Sequence, residues 1–123
     1  MSPDFLIHLV KNVLTQIIEH GRVIRGWLGV EARDLTPQQQ LALHLVQGGA
    51  LITGIFRSSP ADLAGIQPGD ILTHINNSAI HDSRALLLTT ARIAPGTTVT
   101  VQGIRDNQPF QTQATLIQRA SRL

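Results

Sequence analysis

The sequence predicts a small α+β domain built on a partly open antiparallel sheet. Three observations lead there. Asp70–Ile75, Thr97–Arg105 and Pro109–Ile117 are β-rich runs with the period-two alternation of strands. Turn-forming residues divide the chain at Gln67-Pro68-Gly69-Asp70, Asn76-Asn77, Pro95-Gly96 and Asp106-Asn107. Helical spacing is confined to a few separate stretches, and the length of 123 residues suits one domain with its core.

Taken in order, the first element is a helix over Phe5–His20. Leu6, Leu9, Val10, Val13, Leu14, Ile17 and Ile18 share one broad apolar face. Asp4 caps its start and Gly21 ends it. A face this wide suits the last helix of a preceding domain better than a helix packed within a small one. Residues Gly21–Gly26 form a connector, and Trp27–Ala32 a strand. Leu35–Val46 reads as a short helix, with Thr36 as N-cap and Pro37 in the first turn. Ala50–Phe56 is a second strand. Ser59-Pro60 opens a single helical turn that Gly65 stops. The strand Asp70–Ile75 follows, with Ile71 assigned to the core in preference to Leu72. After Asn76-Asn77 and a brief strand at Ala79-Ile80, Asp82 or Ser83 caps a helix over Arg84–Ile93. Two closing strands, Thr97–Arg105 and Pro109–Ile117, lead to a frayed tail.

Composition narrows the function. The net charge is +2 and the arginines are dispersed, without a basic stripe interleaved with aromatics, so a nucleic-acid partner is not expected. There is no cysteine, which removes disulfides and cysteine-based sites. His44, His74 and His81 lack metal-ligand spacing, and neither a metal nor a cofactor is expected. No apolar run reaches the roughly 20 residues of a membrane span, and no signal peptide is visible; any export signal or anchor is expected upstream. His81-Asp82-Ser83 has the residue types of a catalytic triad. Sequence neighbours at a helix start diverge, however, whereas triad members converge from separate elements.

The stretch that points to binding is Gly26-Trp27-Leu28-Gly29-Val30. Two glycines permit positive φ and close backbone approach. Successive N–H groups in such a turn make an anion nest. Apolar side chains beside the nest suit capture of a peptide's terminal carboxylate. On the helix that follows, Leu86, Thr90 and Ile93 are assigned to the core, and Arg84, Leu87, Leu88 and Ala91 to the groove. The expected peptide-binding residues are therefore Trp27, Leu28, Gly29, Val30, Arg84, Leu87, Leu88 and Ala91. Arg22 and Arg25 add positive charge nearby, or else are solvated linker residues.

Ser59-Pro60-Ala61, Ala64-Gly65-Ile66 and Gly69-Asp70-Ile71-Leu72, in this order and spacing, resemble the central motif of bacterial PDZ domains. Arg22 to Val30 is similar to the linker and carboxylate-binding loop of the HtrA serine proteases, and Leu9–Gly21 to the helix that closes their protease domain. Within that family the wording is most similar to the DegS type and next to the DegQ type. The resemblance implies a PDZ-like, partly open antiparallel β-sandwich or barrel capped by two helices, in the permuted bacterial topology. It divides the chain into a protease-domain helix with linker (1–25), a PDZ domain (26–118) and a tail (119–123). It implies no catalysis by this chain, which lacks the Gly-x-Ser-Gly-Gly motif, but a serine endopeptidase as parent. The implied function is regulatory binding of C-terminal peptides of misfolded outer-membrane proteins in the periplasm, as part of the envelope stress response. The alternative is a substrate-tethering scaffold module of a DegQ-type protease-chaperone. Implied partners are such peptides and the protease domain of the same chain. The fragment is expected to be a monomer and its parent a trimer.

Overall fold

A computed structural model describes residues 17–19 and 22–122. The strands are β1 (Ile17–Glu19), β2 (Arg22–Trp27), β3 (Val30–Asp34), β4 (Ala50–Ile55), β5 (Ile71–Ile75), β6 (Ser78–Ala79), β7 (Thr98–Arg105), β8 (Gln108–Thr115) and β9 (Ile117–Arg122). The helices are α1 (Pro37–Ala42), α2 (Pro60–Leu63) and α3 (Ser83–Ala91). One sheet has the order β1-β2-β9; the other has the order β3-β4-β5-β7-β8, with β6 paired to β5. All pairings are antiparallel and neither sheet closes into a barrel. This is the expected α+β architecture, with three helices among the described residues.

Local chemistry explains most boundaries. The β7–β8 hairpin turns on Asp106-Asn107 and the β5–β6 hairpin on Asn76-Asn77; all four residues have positive φ. Two consecutive left-handed residues match the right-handed twist of the flanking strands. Thr36 and Gln39 form a reciprocal capping box at the start of α1. That helix ends sooner than its apolar spacing suggests, because His44 adopts a φ of 56°. Leu41, within this helix, is 78% exposed.

Three expectations are corrected. Ile17–Glu19, placed at the end of a helix, is a strand antiparallel to β2; the rest of that expected helix lies outside the described residues. The connector Gly21–Gly26 and the frayed tail contribute β2 and β9, which pair from Arg22↔Arg122 to Trp27↔Ile117. Leu72, not Ile71, enters the central cluster with Ile52, Ile75, Val99 and Val101; Ile71 is buried outside that cluster, where its side chain lies against Gly49.

One buried charge organises the loop between α2 and β5. Asp70 is 1% exposed. Arg105 donates to both its oxygens, from Nε at 2.8 Å and from Nη2 at 2.6 Å. The Gln67 amide donates to the same carboxylate at 2.9 Å, and Arg105 Nη2 also donates to the Gly65 carbonyl at 2.8 Å. The hydrogen bond to Asp70 raises Arg105 further above its ordinary value. A bidentate arginine fork is among the stronger polar contacts, and it ties β7 to the loop that follows α2. Arg105→Met would strand the buried carboxylate with the Gln67 amide alone. Because the arginine side chain is 36% exposed, the loss is expected to be about 1–3 kcal/mol in urea unfolding. A change below about 0.5 kcal/mol, the usual range for surface substitutions, would refute this role.

Candidate functional site

A groove of about 410 Å³ runs between β3 and α3. Its lining combines Trp27, Leu28, Gly29, Val30 and Ala32 with Ser83, Arg84, Leu86, Leu87 and Thr90. Among the described residues β3 is an edge strand, with β4 as its one partner in the sheet. At Val30↔Ile55 the Phe56 amide donates to the Gly29 carbonyl at 2.9 Å. That is the pattern of a non-hydrogen-bonded pair, so the backbone N–H and C=O of Val30 face away from β4, toward the open edge.

The turn before β3 is held from behind. The Leu28 carbonyl accepts from the Ala61 amide at 2.9 Å, and the Gly29 carbonyl accepts from Phe56 and from Ser59 Oγ at 3.3 Å. The peptide bonds are trans, so each N–H points opposite to the carbonyl of its own peptide unit. The N–H groups of Gly29 and Val30 are therefore turned from α2 toward the groove. Gly29 has a φ of 88°, and a Cβ there would lie 2.2 Å from Ser59 Cβ. Ser59 is itself buried, caps α2 and accepts from the Asp62 amide at 3.1 Å. Trp27 closes this end, packed edge-on against Phe56 with ring centroids 5.3 Å apart.

α3 forms the other wall. Asp82 caps it by accepting from the Ala85 amide at 2.8 Å. Leu86 and Thr90 are buried, and the Thr90 hydroxyl is satisfied by the Leu86 and Leu87 carbonyls. The C-terminal end of the helix sits on β2. A Cβ at Gly26 would lie 2.3 Å from the Ile93 carbonyl oxygen and 2.7 Å from that of Thr90, so only glycine permits the approach. At the other end, Ser83 donates to Asp34 Oδ1 from its amide at 2.9 Å and its hydroxyl at 2.8 Å. The last residue of β3 is thus tied to the first turn of α3. The two bonds, the backbone one foremost, lower Asp34 below its ordinary value of 3.8.

Six of the eight expected residues line the groove: Trp27, Leu28, Gly29, Val30, Arg84 and Leu87. Leu88 and Ala91 do not. The lining residues 84, 87 and 90 recur at i, i+3 spacing; Leu88 and Ala91, at i+4 from Arg84 and from Leu87, share that side of the helix but do not line the groove. Leu86 and Thr90, expected only in the core, serve the core and the groove floor together. The ties made by Ser59 and Asp34 were not foreseen; each joins positions far apart in sequence. Arg25 is half-buried and does not line the groove.

The histidines and the triad-like triplet have separate partners. His81 Nδ1 donates to the Gln47 carbonyl at 2.8 Å, Asp82 caps α3, and Ser83 bonds Asp34. His74 meets Thr73 Oγ1 at 3.0 Å. Among the described residues no group of three or more potential ligands could hold a metal ion, and no helix is long and apolar enough to cross a membrane.

Comparison with known proteins places this geometry in a family. The PDZ domain family matches residues 26–116. A probable periplasmic serine endoprotease, DegP-like, from Bartonella henselae is 41% identical over 92 residues, which are 74% of this chain and 18% of that protein. The serine endoprotease DegS of Salmonella typhimurium is 31% identical over 111 residues, 88% of this chain and 31% of that protein. A solved structure of the HtrA-type protease AlgW with a decapeptide superposes with a TM-score of 0.71 at 32% identity, covering 97% of this chain and 36% of that one. The chain thus spans between about a fifth and a third of these relatives' length. Their names include both DegP-like and DegS, and do not divide the DegS type from the DegQ type. The chain belongs to the PDZ domain family and matches the PDZ domains of HtrA-type serine endoproteases.

Two predictions test the site's construction. Gly29 and Gly96 have nearly equal φ, 88° and 90°, but nothing lies within 4 Å of a Cβ at Gly96. Gly96→Ala should cost about 1–2 kcal/mol for the left-handed backbone alone. Gly29→Ala should cost about 1–3 kcal/mol more because it collides with Ser59; equal costs in urea unfolding would refute the tight Gly29–Ser59 packing. Asp34 has a folded value below the unfolded one, so its contribution is complete above the ordinary 3.8 and is lost as pH falls through the lower folded value. The stability difference between the wild-type chain and Asp34→Asn should therefore be constant above about pH 5 and shrink below about pH 4. A difference independent of pH would remove the Asp34–Ser83 tie.

Proposed function

We propose that this PDZ domain is the regulatory peptide-binding module of an HtrA-type serine endopeptidase. It binds the C-terminal segments of misfolded proteins, outer-membrane proteins among them, and so controls proteolysis by a protease domain elsewhere in the parent. The observation that carries this reading is the groove itself. An open strand edge begins at a turn whose amide N–H groups point inward, beside a floor formed by Leu28 and Leu86. A peptide adding to that edge gains main-chain hydrogen bonds, while its last side chain enters the apolar floor. Its terminal carboxylate meets the N–H groups of Gly29 and Val30 in charge-assisted bonds, which are roughly twice as strong as neutral ones. A related HtrA-type protease solved with a decapeptide supports peptide binding as the activity here.

Location and parentage follow the relatives. Proteins named probable periplasmic serine endoproteases support a periplasmic setting for the parent; its proposed role there is in the envelope stress response. The domain itself acts by binding, and peptide capture biases the protease by favouring one of two states.

Trp27 is the single tryptophan and lines the groove, so its fluorescence reports occupancy. The domain would be titrated with a short peptide ending in an aromatic residue, any residue and phenylalanine, as the free acid and as the C-terminal amide. The free acid should give a saturable change and bind about tenfold or more tighter than the amide, since charged hydrogen bonds contribute about 1.5–3 kcal/mol. Equal responses would refute carboxylate capture, and absence of any response would turn the reading to a scaffold module without a free-peptide ligand.

A further inference from the structure

We infer that β8, at the opposite edge of the larger sheet from the groove, is a self-association surface where two copies of this chain pair antiparallel about a two-fold axis at Gln113. The inference does not depend on the peptide-binding reading. Among the described residues β8 has β7 as its one partner. Their pairing runs without a bulge from Thr98↔Thr115 to Arg105↔Gln108. The Leu116 amide donates to the Thr97 carbonyl at 3.0 Å, which makes Thr98↔Thr115 a non-hydrogen-bonded pair. The N–H and C=O of Thr115 therefore face away from β7, and by alternation so do those of Gln113 and Gln111. The end of α2 touches β8 through the Thr112 hydroxyl, which donates to the Ala64 carbonyl at 2.9 Å. Thr112 shares its face with the buried Ala114, so that contact lies on the core side and not at the edge.

Composition says what fits the edge. Exposed edges are ordinarily guarded by charge, shortness or a bulge, as β3 is. β8 has eight residues, Gln-Pro-Phe-Gln-Thr-Gln-Ala-Thr, and none is charged. This favours a second copy in particular. A two-fold axis sets a strand against itself, so a charge at the axis would meet its own like charge, and opposed like charges destabilise. With the axis at Gln113, that residue opposes its counterpart and Gln111 opposes Thr115. Every residue with outward backbone groups then meets another that also has a free donor and acceptor. An axis nearer the start of β8 would bring Pro109 into the ladder, where it offers no N–H. An axis nearer the end would need Ile117, which already belongs to β9. The paired copies share one continuous sheet with a β3 edge at each far end. Both grooves stay open, and the pair presents them divalently.

The test follows the whole chain by sedimentation equilibrium, and by amide hydrogen exchange read by NMR. A contact this small belongs to the weak, transient class, so dimers are expected near about 1 mM chain and not near about 1 µM. The amides of Gln111, Gln113 and Thr115 should gain protection as concentration rises, and that of Val30 should not. Gln113→Lys sets like charges at the axis and should weaken association about fivefold or more, with partial recovery in about 0.5 M salt. Gln113→Pro removes a donor that β7 does not use and should weaken it without salt dependence. Urea unfolding checks that both variants fold; Gln113 is exposed. A chain monomeric at about 1 mM would overturn the inference, as would association that protects Val30 instead or ignores both substitutions. Protection of the β8 amides already in the dilute monomer would mean that the chain covers this edge itself, and would overturn it too.

Discussion

The groove depends on one tight packing contact, the left-handed Gly29 seated on Ser59. No side chain fits between them, and the Gly29 carbonyl accepts from both the Phe56 amide and the Ser59 hydroxyl. That carbonyl and its neighbour on Leu28 are therefore committed to the interior side. Because a trans peptide sets N–H opposite to C=O, the interior bonds decide what the groove side presents. The turn is not a flexible loop that happens to face a cleft. Its donors are aimed by acceptors that are already satisfied, the arrangement that lets a site bind an anion without reorganising.

The contact passes its constraint outward. Ser59 caps α2, α2 leads through Gly65 into the loop carrying Asp70, and Asp70 is gripped by Arg105 of β7. The turn is thereby linked to the end of β7 in the larger sheet. The opposite wall is referenced at its two ends, where Gly26 admits the carbonyls of Thr90 and Ile93 and where Asp34 accepts from Ser83. Between these points Leu86 anchors α3 in the core. The width of the groove is thus set by one close backbone approach, one exposed hydrogen-bonded tie and one buried leucine. The tie is the weakest of the three, being exposed to solvent and protonatable.

What was legible in the sequence was local. Turn pairs such as Asp106-Asn107, caps such as Asp82 and Ser59, and the alternation of β5, β7 and β8 each carry their signal within a few residues. The Gly26–Val30 loop and the face holding Arg84 and Leu87 were readable for the same reason. β2 and β9 were not, because β9 pairs only with β2 among the described residues and β2 lies between β1 and β9. Arg-Val-Ile-Arg-Gly-Trp is short and glycine-bearing, and its partner lies at the far end of the chain. Leu88 and Ala91 lie outside the groove lining because helix spacing defines a face but not how much of that face the neighbouring strand meets. Leu86 and Thr90 blur that division further, since a small groove shares its floor with the core. Ile71 and Leu72 show the same limit in a strand, where alternation separates two faces and both can be buried.

An open strand edge is a hazard as well as an opportunity, since it offers unpaired backbone groups to any extended chain. Here the edge is guarded by its own composition and shape. β3 has five residues, of which Glu31, Arg33 and Asp34 are charged and exposed, and its pairing with β4 is interrupted between Glu31 and Ala32. Short length, charge and a bulge each disfavour indiscriminate pairing. On the proposed reading, what remains attractive is the end of the edge at Gly29, where the turn and Trp27 close the groove. A chain that continues past that point meets the turn's backbone, whereas a chain that stops there fills the floor and brings its own negative charge to the inward N–H groups. Selectivity for a terminus over an internal segment then needs no dedicated recognition residue. It follows from placing two oriented amides at the blind end of an otherwise guarded strand.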